Sequence, residues 1–111
     1  MAIDPRTPVI VGAAQVTDRV DDPTHARTPL ELMVDALHSA AIDADSPGCL
    51  PGLDLIGVAG GLWRYTDPGR QVADLVRAVD ADTLVTAWSG HSPQLLLNDL
   101  AARIQAGEID A

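Results

Sequence analysis

The 111-residue chain has no phenylalanine, no lysine and a single cysteine. Each absence removes a class of protein. One thiol, Cys49, cannot build an internal disulfide framework and fits a reducing cytoplasm. Arginine is the only strongly basic residue type, and the formal net charge is −9. Such a surface repels phosphate backbones and anionic lipid, which argues against nucleic-acid and membrane-surface roles. No apolar run approaches the roughly 20 residues that cross a bilayer. The first six residues lack the apolar stretch of a secretory signal.

What is present is aliphatic. Hydrophobic residues make up 47% of the chain but aromatic ones only 3%, a balance that suits helices laid on a sheet in one domain at most. No internal repeat, low-complexity tract or long linker divides it.

The pattern alternates strands and helices. Residues 8–14 (Pro8-Val9-Ile10-Val11-Gly12-Ala13-Ala14) form a short β-branched run ending in small residues, which predicts a buried first strand. Residues 17–27 are polar, contain Pro23, and read as a loop. Thr28-Pro29-Leu30-Glu31 is a capping box with proline at the first helical position. Leu30, Met33, Val34, Leu37 and Ala41 then share one helical face, with Glu31, Asp35 and His38 on the other. Residues 55–61 predict a second strand ending in glycines. Asp67-Pro68 opens a second helix with Val72, Leu75, Val76 and Val79 as its core face. Residues 83–88 predict a third strand.

Ser89-Gly90-His91-Ser92-Pro93 is a tight strand-to-helix turn, with Ser92 read as the N-cap and Pro93 as the first helical residue. The last helix runs to Ala106 and stops at Gly107. Its leucines, alanines and Ile104 cover most of its circumference, more than a chain of this length can surround. The order βαβαβα predicts an α/β fold of three parallel strands with right-handed crossovers.

Several motifs compete for a function. Gly90-His91-Ser92-Pro93-Gln94 approximates the G-x-S-x-G nucleophile elbow of serine hydrolases, with Ser92 as nucleophile. Gln94 replaces the last glycine, however, and Pro93 has no N–H to give an oxyanion hole. The glycines of residues 57–61 do not form a dinucleotide-binding fingerprint and read as close backbone approaches. His25 and His38 read as solvated, and with Cys49 they show no metal-ligand spacing. Trp63, Arg64 and Tyr65 form a small amphipathic cluster, either packed on its own domain or in contact with a partner or acyl chain.

Four stretches together resemble the thiolase superfamily. They are residues 8–14, the Gly69-Arg70-Gln71-Val72-Ala73 run, the third strand leading into its tight turn, and residues 101–110 (Ala101-Ala102-Arg103-Ile104-Gln105-Ala106-Gly107-Glu108-Ile109-Asp110). The resemblance covers nearly the whole chain but about the first third of a usual thiolase. It implies that residues 1–111 are an incomplete N-terminal domain, supplying three of the five strands of a thiolase-type half, with the first strand central and a fourth beside it. Aligned on Gln94 and the Ala106-Gly107-Glu108 ending, Ser89 falls where the family keeps its nucleophilic cysteine and Gly90 conforms, while His91 and Ser92 depart from the family's small residues.

These correspondences set the expectations for function. The resemblance implies a protein related to acetyl-CoA acetyltransferases and lipid-carrier thiolases, acting on or binding acyl-CoA thioesters, with no further cofactor and no metal. Ser89 is the candidate catalytic residue, His91 a candidate base, and Gly90 and Ser92 candidates for substrate contact. A serine hydroxyl needs a positioned base that a thiolate at a helix N-terminus does not. The family's acid/base histidine and second cysteine match nothing here, so the chain alone is expected to be inactive. A non-catalytic acyl-CoA, lipid or partner-subunit module is the alternative. A missing C-terminal polypeptide or companion subunit is the expected partner, and a homo-oligomer, a dimer in the family, is expected through the third strand.

Overall fold

A computed structural model describes residues 2–111. Helix α1 (Pro29–Asp43) starts at the expected capping box: Glu31 N–H donates to Thr28 Oγ1 at 3.2 Å, and Thr28 N–H to the Glu31 carboxylate at 2.9 Å. Its predicted apolar face, Leu30 to Ala41, is the one that packs into the core. The polar loop before it holds a single 3-10 turn at Pro23–His25.

Strand β1 (Leu55–Val58) is followed by α2 (Pro68–Leu75), β2 (Asp82–Val85) and α3 (Ser92–Gln105). The two strands are parallel, in register from Leu55 opposite Asp82 to Val58 opposite Val85. Both are shorter than the predicted 55–61 and 83–88. The core lies between this sheet, α1 and α2, around Ala41, Leu50, Ile56, Val72, Ala73 and Val76. Helix α3 covers the opposite face, where Leu96 lies against Gly57; a Cβ on Gly57 would sit 2.7 Å from Leu96 Cδ1.

The predicted first strand is not formed. Residues 8–14 pair with no other strand, and Val9, Ile10 and Val11 are 70%, 73% and 73% exposed. A strand needs a neighbour to satisfy its backbone groups, and none lies beside these residues. The segment is held instead by the Ala13 amide, which donates to the Asp43 carboxylate at 2.9 Å. The described sheet therefore has two parallel strands, not three. Nor does the first segment adjoin β1: there, the amides of Asp54 and Leu55 donate to the Ala111 carbonyl at 2.8 and 3.2 Å.

Helix α2 also ends earlier than its apolar spacing suggests. Arg77 turns to φ 63°, the helix stops, and Leu75 and Val79 are exposed while Val72, Ala73 and Val76 fill the core. The chain then passes from α2 to β2 around Arg70, whose guanidinium donates to the carbonyls of Ala78 at 3.1 Å and Ala81 at 2.9 Å and pairs with Asp74 at 3.1 Å. Helix α3 closes as expected. Gly107 takes φ 76°, and the amides of Gly107 and Glu108 donate back to Ile104 and Arg103.

Little covers the outside of α3: Leu96 is buried, but Leu95 and Leu97 are 55% and 44% exposed. The molecule is extended, 55 × 30 × 26 Å, and exposes 7810 Å². A folded monomer of its 11.6 kDa mass exposes roughly 5,800 Å². The excess is about 2,000 Å².

Candidate functional site

The C-terminal ends of β1 and β2 open into two loops that meet. Gly60 N–H donates to Thr86 Oγ1 at 3.0 Å, and the Gly60 backbone lies against Thr86 and Trp88. Beyond Trp88 the chain makes the expected turn into α3 at Ser89, Gly90 and His91.

Ser92 is 3% exposed and is the first residue of α3, not its N-cap. His91 holds the cap position without a side-chain hydrogen bond, and its carbonyl accepts Leu95 N–H at 3.1 Å. The Ser92 hydroxyl turns back toward the strand and donates to the Ala87 carbonyl at 2.6 Å. A serine carries one hydroxyl proton, so the 2.6 Å contact between the Ser89 and Ser92 hydroxyls has Ser89 as donor. Two serines thus lock the turn: Ser89 to Ser92 to Ala87. This is an adverse setting for Ser92 as an elbow nucleophile, since its oxygen is buried and its proton already given to a carbonyl.

Ser89 is half-buried in the turn that leads into α3. His91 is exposed, and among the described residues no hydrogen bond joins its ring to Ser89. Gly90 is exposed, and a side chain there would meet no atom within 4 Å, so packing does not demand its glycine. Ser89, His91 and Ser92 share a groove of about 360 Å³ with Leu84, Ala87, Leu95 and Asp99. Among the described residues, His91 and Asp99 are the only ionisable ones that line it. Among the described residues no cluster of His, Cys, Asp or Glu could hold a metal ion, and no helix is long and apolar enough to cross a membrane.

Sequence reasoning missed the link from Thr86 to Gly60 and the inward turn of Ser92. A hydroxyl residue at a strand end was the available signal, but such residues also cap helices, and only the path of the chain decides between the two. The amphipathic cluster packs on its own domain. Trp63 lines an apolar groove with Met33, Leu37 and Ile56, and the Tyr65 hydroxyl accepts Leu30 N–H at 3.3 Å.

The parallel pair with helices on both faces and the turn at the head of α3 define the class: the fold is that of the thiolase superfamily. Within it, the chain is similar to a monomeric SCP2-thiolase-like protein type 1 of Mycobacterium smegmatis, with 31% sequence identity and a TM-score of 0.76. The match takes in 96% of this chain and 22% of that protein, so the chain spans under a quarter of this relative's length. No protein-family model matches the chain, and no curated protein does.

Proposed function

We propose that this chain is a thiolase-like module that binds the acyl end of a thioester at the head of α3 without forming a covalent acyl-enzyme. The observation that carries this reading is the direction of the Ser89 proton. It is donated to Ser92, whose own proton goes to Ala87, and among the described residues no His, Asp or Glu side chain accepts from it. Ser89 keeps acceptor lone pairs facing the groove but is no activated nucleophile. In a complete enzyme, the acid/base groups of the family would come from residues outside these 111.

The groove favours the uncharged part of an acyl-CoA. Leu84, Leu95 and Leu96 offer apolar wall to an acyl chain, while the lining includes no arginine to meet the phosphates of the nucleotide end. With a net charge of −9, the chain repels that end. An acyl-pantetheine is therefore the ligand portion that fits, in a reducing cytoplasm consistent with Cys49.

Titration calorimetry with acetyl-pantetheine, acetyl-CoA and a longer acyl-CoA tests this, with product assayed in parallel. Binding without turnover, tightened by added salt for the CoA forms and strengthened by a longer acyl chain, is the expected result. Thiolysis by the chain alone, or acylated Ser89 found by mass spectrometry, would refute the non-covalent reading.

A further inference from the structure

The ladder between the two strands ends on a side chain. Asp82 N–H donates to the Asp54 carbonyl at 2.9 Å, and Thr86 N–H to the Val58 carbonyl at 3.0 Å. In the parallel pattern these bonds follow, the next would run from Gly60 N–H to the Thr86 carbonyl. Gly60 donates instead to Thr86 Oγ1 at 3.0 Å. The two backbones still lie close, since a Cβ on Gly60 would sit 2.5 Å from the Thr86 carbonyl oxygen. The hydroxyl of Thr86 has thus taken the amide from the carbonyl of its own residue.

That hydroxyl has one proton and passes it on. Thr86 Oγ1 donates to the Ala87 carbonyl at 3.1 Å, the same oxygen that accepts from Ser92 at 2.6 Å. A carbonyl oxygen has two lone pairs, and here both are filled. An amide N–H can only donate and a carbonyl can only accept, so these two backbone groups set the direction of the hydroxyls between them. Protons point from Gly60 through Thr86 to Ala87 on one side, and from Ser89 through Ser92 to Ala87 on the other. Thr86 also lines the groove beside Ser89, whereas Gly60 does not.

We propose that Thr86 is the positioning residue of the Ser89 turn, holding the Ala87 carbonyl between the loop after β1 and the two serines. Loop and turn then respond together: a ligand at Ser89 steadies Gly60, and loosening Gly60 weakens the ligand by the same factor. What binds at the turn is taken from the thioester reading, but the relay itself consists of hydrogen bonds among Gly60, Thr86, Ala87, Ser89 and Ser92.

Amide exchange at Gly60, measured with and without acetyl-pantetheine in Thr86→Val and Thr86→Ser, tests the proposal. Thr86→Val keeps the shape of the side chain and is expected to speed ligand-free exchange about tenfold, as for the loss of one hydrogen bond. Thr86→Ser keeps the hydroxyl and should match the unaltered chain. Acetyl-pantetheine should slow Gly60 exchange in the unaltered chain and in Thr86→Ser. In Thr86→Val it should not, and its affinity should fall several-fold. Unchanged exchange in Thr86→Val overturns the proposal. So does Thr86→Ser behaving as Thr86→Val, because packing of the methyl group then holds the loop. Binding that leaves Gly60 exchange untouched in the unaltered chain also overturns it. If acetyl-pantetheine does not bind at all, the thioester reading falls, and ligand-free exchange alone decides the role of Thr86. If Thr86→Val does not fold, Ser92→Ala decides. It leaves the Ala87 carbonyl to Thr86, and a Gly60 amide NMR shift that does not move overturns the relay.

Discussion

The Ser89 hydroxyl lies 2.6 Å from that of Ser92, and the Ser92 hydroxyl lies 2.6 Å from the Ala87 carbonyl. One proton runs down this short chain at each step, from the exposed turn to the end of the strand. The turn is thereby fixed by its own side chains, and its most reactive-looking oxygen is a structural donor.

The two serines should separate in a stability measurement. Ser92→Ala leaves the Ala87 carbonyl and the Ser89 hydroxyl without their buried partner, and is expected to cost about 1–3 kcal/mol. Ser89→Ala removes only the outer donor and should cost less than about 1 kcal/mol. Urea denaturation of both variants checks the order; equal losses would show that the inner bond does not dominate.

Ser89→Cys places a thiol at the head of a helix. Gln94 N–H, the first unpaired amide there after Pro93, and the positive end of the helix both favour a thiolate. Iodoacetamide at neutral pH is expected to label this cysteine several-fold faster than Cys49, as read by peptide mass spectrometry. Equal rates would mean that the helix does not activate the position.

Gly57 and Leu96 form one packing unit between β1 and α3. A methyl at Gly57 would lie 2.7 Å from Leu96 Cδ1, so Gly57→Ala is expected to destabilise by about 1–3 kcal/mol. In a Leu96→Ala background the space is already open, and the same change should cost little. The double-mutant cycle measures this coupling directly.

Gly107 ends α3 at φ 76° with the Arg6 guanidinium 2.8 Å from where a Cβ would sit. Gly107→Ala places a side chain in the left-handed region and displaces Arg6. A loss of about 1–2 kcal/mol is expected in urea unfolding.

Acid should loosen one turn before the rest. The Thr24 amide, with its hydroxyl second, donates to the Asp22 carboxylate and holds its pKa below the ordinary 3.8. The folded value is depressed, so the contribution is present above the unfolded value and disappears as pH falls through the folded one. An NMR titration should show the Thr24 amide shift following Asp22. In Thr24→Ala the midpoint should rise but stay below the ordinary value, because the backbone donor remains.

Much of the fold was legible because its signals were local. The capping box at Thr28 and Glu31 and the stop at Gly107 depend on a few adjacent residues, and both stand as read. So do the face of α1 and the parallel sense of the strands. Residues 8–14 misled for the opposite reason. Val9, Ile10 and Val11 carry every local mark of a strand, but a strand is a relation between two segments, and composition cannot supply the second. The site divided likewise. The strand-to-helix turn at Ser89 was legible from its small and polar residues, whereas the role of Ser92 depended on whether its hydroxyl reached forward to the helix or back to Ala87.

Arg70 extends its influence well past the carbonyls it holds. By gathering Ala78 and Ala81 around one flat cation, it sets the length of chain spent before Asp82 begins to pair. Losing or gaining a single residue in that span would turn every side chain of the second strand to the opposite layer, exchanging Thr83, which lies against Gly69, with Leu84, which shares a groove with Leu96. A half-buried arginine therefore acts as the counter that decides which side chains of β2 turn toward α2 and which toward α3.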